Sequence, residues 1–225
     1  MKNYYTDLSE KILSLTQSDQ DTVSLRKQLF YIRQSRLEQD LNTDDLKKTF
    51  WINIYQAFYL STLKENRMDD LVFKQRRIKI AHDVISLNDI EHGILRKSKL
   101  SIGFGYLSNP FYSSFIKNSA VQTLDYRIHF ALRSLTLGKN SFTSFDHREI
   151  ENQLTAITKN FIDSETELDH ESKTIRIADF ILSYSKDFGG TTAIKKLLET
   201  IFDRNLQEYT LQLKAIKRIQ KVFEI

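Results

Sequence analysis

Eleven consecutive residues, from Ser86 to Arg96, hold the densest group of side chains in this chain that could do chemistry. Ser86 stands three residues before Asp89, which is the spacing of a capping box at the start of a helix. On the wheel of that helix, Asp89, His92 and Arg96 share one face, whereas Glu91 falls within the apolar arc. A carboxylate in apolar surroundings is either paired or driven toward its neutral form. We therefore predict that this segment lines a site and that Glu91 has a partner.

A second pair of candidate site residues lies in residues 125–132, where Arg127 and His129 alternate with apolar side chains. The alternation predicts a strand that presents Arg127 and His129 on one face, although Asp125 could equally cap a helix. Arginine pairs well with carboxylates through parallel hydrogen bonds. We predict Arg127 as the partner of Glu91.

Two amides lie on a helix predicted over residues 44–65, which is apolar on nearly every side and should be surrounded by protein. Asn53 and Gln56 fall on the same side of it. Buried amides need hydrogen-bond partners, because an unpaired one costs about 1–3 kcal/mol. Bonding to a neighbouring loop is the simpler interpretation, and a place in the site is the alternative.

Crowding is expected around the segment 86–96. Gly93 costs its helix roughly 1 kcal/mol relative to alanine, which predicts that another group comes close to its backbone. The irregular stretch 97–124 is rich in aromatic residues and glycine. It is predicted to be a covering loop, with a lid over a pocket as the alternative.

Composition narrows the function classes. The chain has 225 residues and no cysteine, which excludes disulfides, thiolate nucleophiles and thiolate metal sites. Glu91, His92 and His129 are a poor metal set, because Glu91 and His92 are adjacent and diverge by about 100° on a helix. We therefore predict no metal and no cofactor. His82, His147 and His170 show no ligand spacing and are expected at the surface.

Charge and hydropathy say little about partners. The net charge of +4 is small, so it permits nucleic acid or an acidic membrane surface as a partner without requiring either, and nucleic acid is expected to be an unlikely partner. No run is long and apolar enough to span a bilayer, and a cytoplasmic location is expected. A C-terminal helix over residues 206–225 would carry Lys214, Lys217, Arg218 and Lys221. We expect these side chains to form a solvated basic face, with a membrane-surface or partner helix as the alternative.

The overall pattern predicts a mostly helical α+β fold in one domain with a small β-sheet, because one proline and six glycines leave few breaks in long helices. N-terminal helices occupy residues 1–43, a core follows over 44–205, and the C-terminal helix ends the chain. The predicted helices cover residues 7–40 (two helices), 44–65, 87–96, 147–162, 178–184 and 192–223 (two helices). The predicted strands cover residues 76–81, 125–132 and 174–177.

Four motifs together resemble one family. Residues 50–58 are similar to an FWINxYNAF-like signature, and residues 86–96 resemble the SLNDIEHGILR segment of the domain of unknown function 547. Residues 125–132 are similar to the DPRIHFAL segment of that family, and residues 180–190 resemble its last motif. The resemblance covers roughly residues 40–205 and implies no known activity.

Departures from the family pattern bear on chemistry. Family members usually have asparagine where Gln56 stands and proline where Tyr126 stands. They usually carry a cysteine soon after the HFAL segment and then a Ser-Cys-Pro, whereas residues 133–142 contain neither cysteine here. If family members use those thiols as a nucleophile or metal ligand, this chain cannot do the same.

Three interpretations stay open. The first is a binding or interaction domain whose polar pocket takes a small anionic ligand or a peptide, lined by Glu91, His92, Arg96, Arg127, His129, Asn53 and Gln56. The second is a hydrolase- or transferase-like enzyme in which His92 or His129 acts as general base, positioned by Glu91. Its nucleophile would be Ser134, Ser141 or an activated water. The third is a buried ion network with a purely structural role.

Overall fold

The computed structural model describes residues 3–65, 71–134 and 143–214. It has the predicted mostly helical α+β fold. The α-helices are α1 (Tyr4–Gln17), α2 (Val23–Tyr31), α3 (Gln34–Asp40), α4 (Asp44–Lys64), α5 (Ser114–Ser119), α6 (Ile128–Arg133), α7 (Ile150–Glu165), α8 (Asp179–Ser183) and α9 (Thr191–Phe202). A π-helix spans Asp89–Leu95, and 3₁₀ turns span Gly103–Gly105 and Ser185–Phe188. The strands are β1 (Ile78–Ile80), β2 (Asp83–Ile85), β3 (Glu167–Asp169), β4 (Thr174–Ala178) and β5 (Thr210–Lys214).

Helix α4 is the centre of the larger hydrophobic core. Phe50, Trp51 and Ile52 are fully buried and point in different directions around it. Helices α1, α6 and α7 and the π-helix all pack against it. The prediction of a helix surrounded by protein is confirmed, and its all-round apolar surface is the cause.

A second hydrophobic core lies around β4, which pairs antiparallel with β3 and parallel with β5. Helices α7, α8 and α9 contribute apolar side chains to it. Helix α6 joins the two cores, because Ile128 and Leu132 belong to the first and Phe130 to the second. Polar side chains on α6 therefore lie where the two cores meet.

Three element predictions are wrong. Residues 125–132 form a turn followed by α6 instead of a strand, since eight alternating residues are too few to separate the two periods. Residues 7–40 lie in three helices instead of two. The predicted C-terminal helix is replaced at 210–214 by β5, whose backbone bonds to the open side of β4. Lys214 is thus on a strand, while Lys217, Arg218 and Lys221 lie outside the described residues.

The aromatic stretch 97–124 divides into an inner and an outer part. Phe115 is buried and Tyr112 packs against the larger core. Phe104 and Phe111 point to solvent, 61% and 91% exposed. The Gly105 backbone in this outer part packs on Asp187 and Arg96, and a covering loop, with a lid as the alternative, stays a prediction for residues 97–124.

Candidate functional site

The π-helix carries the first group of site residues. Its backbone bonds run from Arg96 N–H to the Glu91 carbonyl and from Ser98 N–H to the Gly93 carbonyl, five residues back. The predicted capping box is present, because Ser86 Oγ accepts from Asp89 N–H and the Asp89 carboxylate accepts from Ser86 N–H. Asp89 is therefore occupied at the start of the segment and does not join His92 and Arg96.

Gly93 lets the π-helix pack closely on α5. A Cβ atom at this position would lie 2.5 Å from Cγ2 of Ile116 and 3.2 Å from the Tyr112 ring. The predicted close approach to the Gly93 backbone is confirmed.

Glu91 is buried, 2% exposed, and accepts a hydrogen bond from Arg133 Nη2 at 2.7 Å. Burial alone would raise the pKa of this carboxyl, but the Arg133 charge, helped by the nearby histidines, lowers it to about 2. Glu91 is thus an ionised carboxylate in an apolar arc, and the prediction that it is paired is confirmed.

The predicted identity of its partner is wrong. Arg127 binds the carboxylates of Asp125 and Glu151, at 2.7 and 2.6 Å. The reason is the helix that replaced the predicted strand: His129 and Arg133 are four residues apart on α6 and share a face, while Arg127 precedes the helix. Sequence reasoning named His129 but missed Arg133.

Asp187 is the residue around which the site is built, and it was not predicted. Its side chain is 1% exposed, and Oδ2 accepts from Arg96 Nε at 2.6 Å and from His129 Nε2 at 2.9 Å. Burial would raise the pKa of Asp187, but the hydrogen bonds from His129 and Arg96 outweigh it and lower this pKa. Asp187 therefore holds one arginine and one histidine as an ionised acceptor.

Arg96 is fully buried and links both halves of the site. Its Nη1 donates to His92 Nδ1 at 2.9 Å and to the Leu100 carbonyl at 3.0 Å. Its guanidinium lies 4.0 Å above the centre of the Tyr184 ring. Because arginine only donates, His92 Nδ1 must be unprotonated. Burial, opposed by Glu91, lowers the pKa of His92 to about 4, which agrees with a neutral ring.

His129 is held between aromatic rings. Its ring stacks on Tyr184 with centroids 4.7 Å apart and on Phe188 at 5.6 Å. Burial lowers the pKa of His129, and the bond to Asp187 opposes this shift only in part. The imidazole is therefore neutral, with its proton on Nε2 toward Asp187 and a lone pair on Nδ1.

Three buried polar atoms of this cluster have no hydrogen-bond partner among the described residues: Arg96 Nη2, Asp187 Oδ1 and His129 Nδ1. The Gly105 turn lies against two of them. A Cβ on Gly105 would come 2.4 Å from Asp187 Oδ1 and 3.4 Å from Arg96 Nη2. We call Arg96, Asp187 and His129 with these three atoms the open triad.

The two predicted amides have different surroundings. Asn53 exchanges two hydrogen bonds with the Phe145 backbone, each 2.9 Å, so bonding to a neighbouring loop is confirmed for it. Gln56 is fully buried, and neither atom of its amide has a partner within the described ranges.

Other candidate residues lie away from the triad or outside the described chain. Ser134 Oγ donates to the Ala131 carbonyl, and Ser141 is not among the described residues. His82 and His170 are exposed, and His147 is half-buried beside Thr6. In residues 3–65, 71–134 and 143–214, no cluster of three His, Asp or Glu side chains is placed to hold a metal ion.

The fold and site define a mostly helical α+β protein with a buried ion network at the junction of two cores. The chain matches the family described as "Protein of unknown function, DUF547" over residues 39–162, and it belongs to that family. Neither the curated proteins nor the solved structures give a match. Over the described residues, no helix has the length and apolar character needed to cross a membrane.

Proposed function

We propose that this chain is a binding domain whose open triad takes a small carboxylate ligand or the carboxyl end of a peptide. The three unpartnered atoms of Arg96, Asp187 and His129 carry this proposal. Buried polar groups are nearly always hydrogen-bonded, and each one left unsatisfied costs about 1–3 kcal/mol. These three atoms belong to residues that meet at the Asp187 carboxylate. They favour a ligand that supplies the missing hydrogen-bond donors and acceptor.

The chemistry of the three atoms defines the ligand. Arg96 Nη2 only donates and suits a carboxylate oxygen, whereas Asp187 Oδ1 and His129 Nδ1 only accept and need an N–H or O–H. The carboxyl end of a peptide offers both, because an amide N–H lies next to its carboxylate. So do small amino acids and hydroxy acids.

The neutral charge balance of the site disfavours a ligand with more than one negative charge, because every added negative charge is uncompensated there. Arg96 and Asp187 cancel, Glu91 is neutralised by Arg133, and both histidines are neutral. A dianion such as phosphate would bring uncompensated charge into a buried site at a high cost. Monocarboxylates are therefore the preferred class.

The Gly105 turn is the proposed entrance. A Cβ on Gly105 would meet both Asp187 Oδ1 and Arg96 Nη2, and the turn belongs to a loop whose outer side chains are exposed. Displacement of this turn would open the triad without disturbing either hydrophobic core.

Calorimetric titration with glycine, lactate, a dipeptide and inorganic phosphate tests the proposal. His129→Gln retains an amide that can donate to Asp187 and removes the Nδ1 acceptor. We expect it to weaken the best carboxylate ligand by about 5- to 100-fold, because a buried donor of the ligand left without its acceptor costs about 1–3 kcal/mol. The matched control is Arg127→Gln, which removes a positive charge outside the triad and should leave affinity unchanged. Equal affinities in the two variants, or no binding of any carboxylate, would refute it.

An enzymatic function is the second candidate, favoured by the His129–Asp187 pair. A neutral imidazole oriented by a carboxylate, with its other nitrogen free, is the arrangement of a general base. Asp187 here takes the orienting role predicted for Glu91. The chain has no thiol, and Ser134 Oγ donates to a carbonyl of its own helix. His129 Nδ1 would therefore take its proton from a water molecule.

A broad screen of ester and amide substrates distinguishes this candidate. Hydrolysis by the wild-type chain that is lost in His129→Gln and kept in Arg127→Gln would support a general base at His129. Hydrolysis that survives His129→Gln would exclude this site.

A further inference from the structure

A concentrated patch of exposed apolar side chains lies beside the site. Five of the eleven large hydrophobic residues that are exposed in the described chain fall within ten residues. They are Ile102 (68%), Phe104 (61%), Tyr106 (62%), Leu107 (50%) and Phe111 (91%). We call these five side chains the aromatic face. Scattered exposed apolar residues are normal, but a contiguous group marks an interaction surface.

The backbone holds the aromatic face in place. Leu100 N–H donates to the Leu107 carbonyl, and Asn109 N–H donates to the Ser98 carbonyl, so residues 98–109 form a hairpin-like loop. At its tip Phe104 has a φ of 55°, a conformation that side-chain-bearing residues seldom adopt and that costs of order 1 kcal/mol. The loop thus presents Phe104 outward in a backbone conformation that has an energetic cost.

Exposed lysines lie beside this face. No acidic residue occurs between Glu91 and Asp125 in the sequence. Lys117 bonds the Pro110 carbonyl next to Phe111, and the Lys186 ammonium lies 5.3 Å from the Tyr106 ring centre. Lys99 pairs with Ser108 in the stem of the loop. Lysines therefore lie beside the apolar side chains, and the Asp187 carboxylate that lies against Gly105 is buried and already paired with Arg96.

We infer that the aromatic face docks on the surface of a bilayer that contains anionic lipids. Phenylalanine, tyrosine and leucine partition into the boundary between headgroups and acyl chains, while lysines reach back to the headgroups. Each lysine near an anionic surface adds attraction. A protein partner would also cover apolar side chains, but the neighbouring lysines are the complement of an anionic lipid surface. This inference does not rest on the proposed carboxylate site.

Vesicle co-sedimentation of the full chain tests the inference. The probes are phosphatidylcholine vesicles with and without phosphatidylserine. We expect binding to the mixed vesicles only, with a loss of affinity as ionic strength rises to about 1 M, where charges are screened within about 3 Å. Phe104→Ser with Phe111→Ser should lower the partition coefficient about tenfold or more, because two exposed aromatic anchors are removed.

Controls separate this surface from general hydrophobicity and charge. The matched double variant is Tyr31→Ser with Leu71→Ser, since these side chains are 68% and 61% exposed outside the aromatic face. It should bind vesicles like the wild type. Lys99→Gln with Lys117→Gln should weaken binding to the mixed vesicles at low salt, and circular dichroism should report native folding in every variant.

Three outcomes would overturn the inference. The first is no binding to either vesicle. The second is equal loss of binding in the two double serine variants. The third is concentration-dependent dimerisation that the Phe104 and Phe111 changes abolish while vesicles remain unbound, because the face would then be an interface between copies of the chain.

Discussion

Acidification from pH 7 to pH 5 should destabilise this fold chiefly through its buried neutral histidines. His92 has a pKa of about 4 in the folded chain, against an ordinary value of 6.5. Because the folded pKa is the lower one, the stability contributed by neutral His92 is present above pH 6.5 and is lost as the pH falls toward 4. Between these pH values His92 is protonated in the unfolded chain but stays neutral in the folded chain.

The expected loss follows from the two pKa values. Linkage from 6.5 and about 4 gives roughly 2 kcal/mol between pH 7 and pH 5. Burial lowers the pKa of His129 as well, so its contribution has the same sign. Glu91 acts in a different window, since its pKa drops from 4.5 to about 2 and its contribution is lost only below pH 4.5.

Urea unfolding at the two pH values measures this loss. His92→Asn is the informative variant, because its side-chain oxygen can accept from Arg96 but does not titrate. Its stability should fall between pH 7 and pH 5 by about 2 kcal/mol less than that of the wild type. The control is His82→Asn at an exposed position, where φ is 63° and asparagine is well tolerated. If the wild type and His92→Asn lose equal stability, the assignment of a buried neutral imidazole is wrong.

Glu91→Gln and Gly93→Ala, each with a matched second substitution, test the pairing and packing around the site by urea or thermal unfolding. Glu91→Gln should destabilise the fold by about 2–3 kcal/mol, below the cost of breaking a fully buried pair because the Arg133 side chain is 23% exposed. Glu151→Gln, in an ion pair whose carboxylate is 55% exposed, should cost less than about 1 kcal/mol, and a similar loss in both would contradict the assigned burial. Gly93→Ala should destabilise by about 1–2 kcal/mol, because overlap with buried Ile116 outweighs the gain in helix propensity. Ile116→Leu, which removes the contacting methyl, should restore part of that loss, and no rescue would refute the steric cause.

The sequence predicts those site features that depend on neighbours along the chain. The capping box and the close approach at Gly93 follow from residue types within a few positions. The burial and pairing of Glu91 also followed from its place in an apolar arc. Its partner could not be identified from the sequence, because choosing Arg133 over Arg127 requires the knowledge that residues 128–133 are helical.

Asp187 shows where local reasoning fails. It lies 91 residues from Arg96 and 58 from His129, at the end of a segment that reads only as a helix stop before two glycines. The periodicity of apolar residues relates positions a few residues apart and gives no information about so distant a contact. One sequence signal for Asp187 was available. Asp187 lies within residues 180–190, which are similar to the last motif of the family whose other motifs contain Arg96 and His129.

The buried charges divide into two parts with different roles. No atom of Glu91 or Arg133 is among the unpartnered buried atoms of the described chain, as expected for a pair that fixes the π-helix against α6. The triad of Arg96, Asp187 and His129 leaves three buried polar atoms without a hydrogen-bond partner in the described chain. Such atoms do not stabilise the fold, so they are not expected in a network with a purely structural role. Glu91→Gln should therefore lower stability with little change in carboxylate affinity, whereas His129→Gln should lower affinity with a smaller change in stability. The opposite pattern would assign the structural role to the triad and remove the basis for a ligand there.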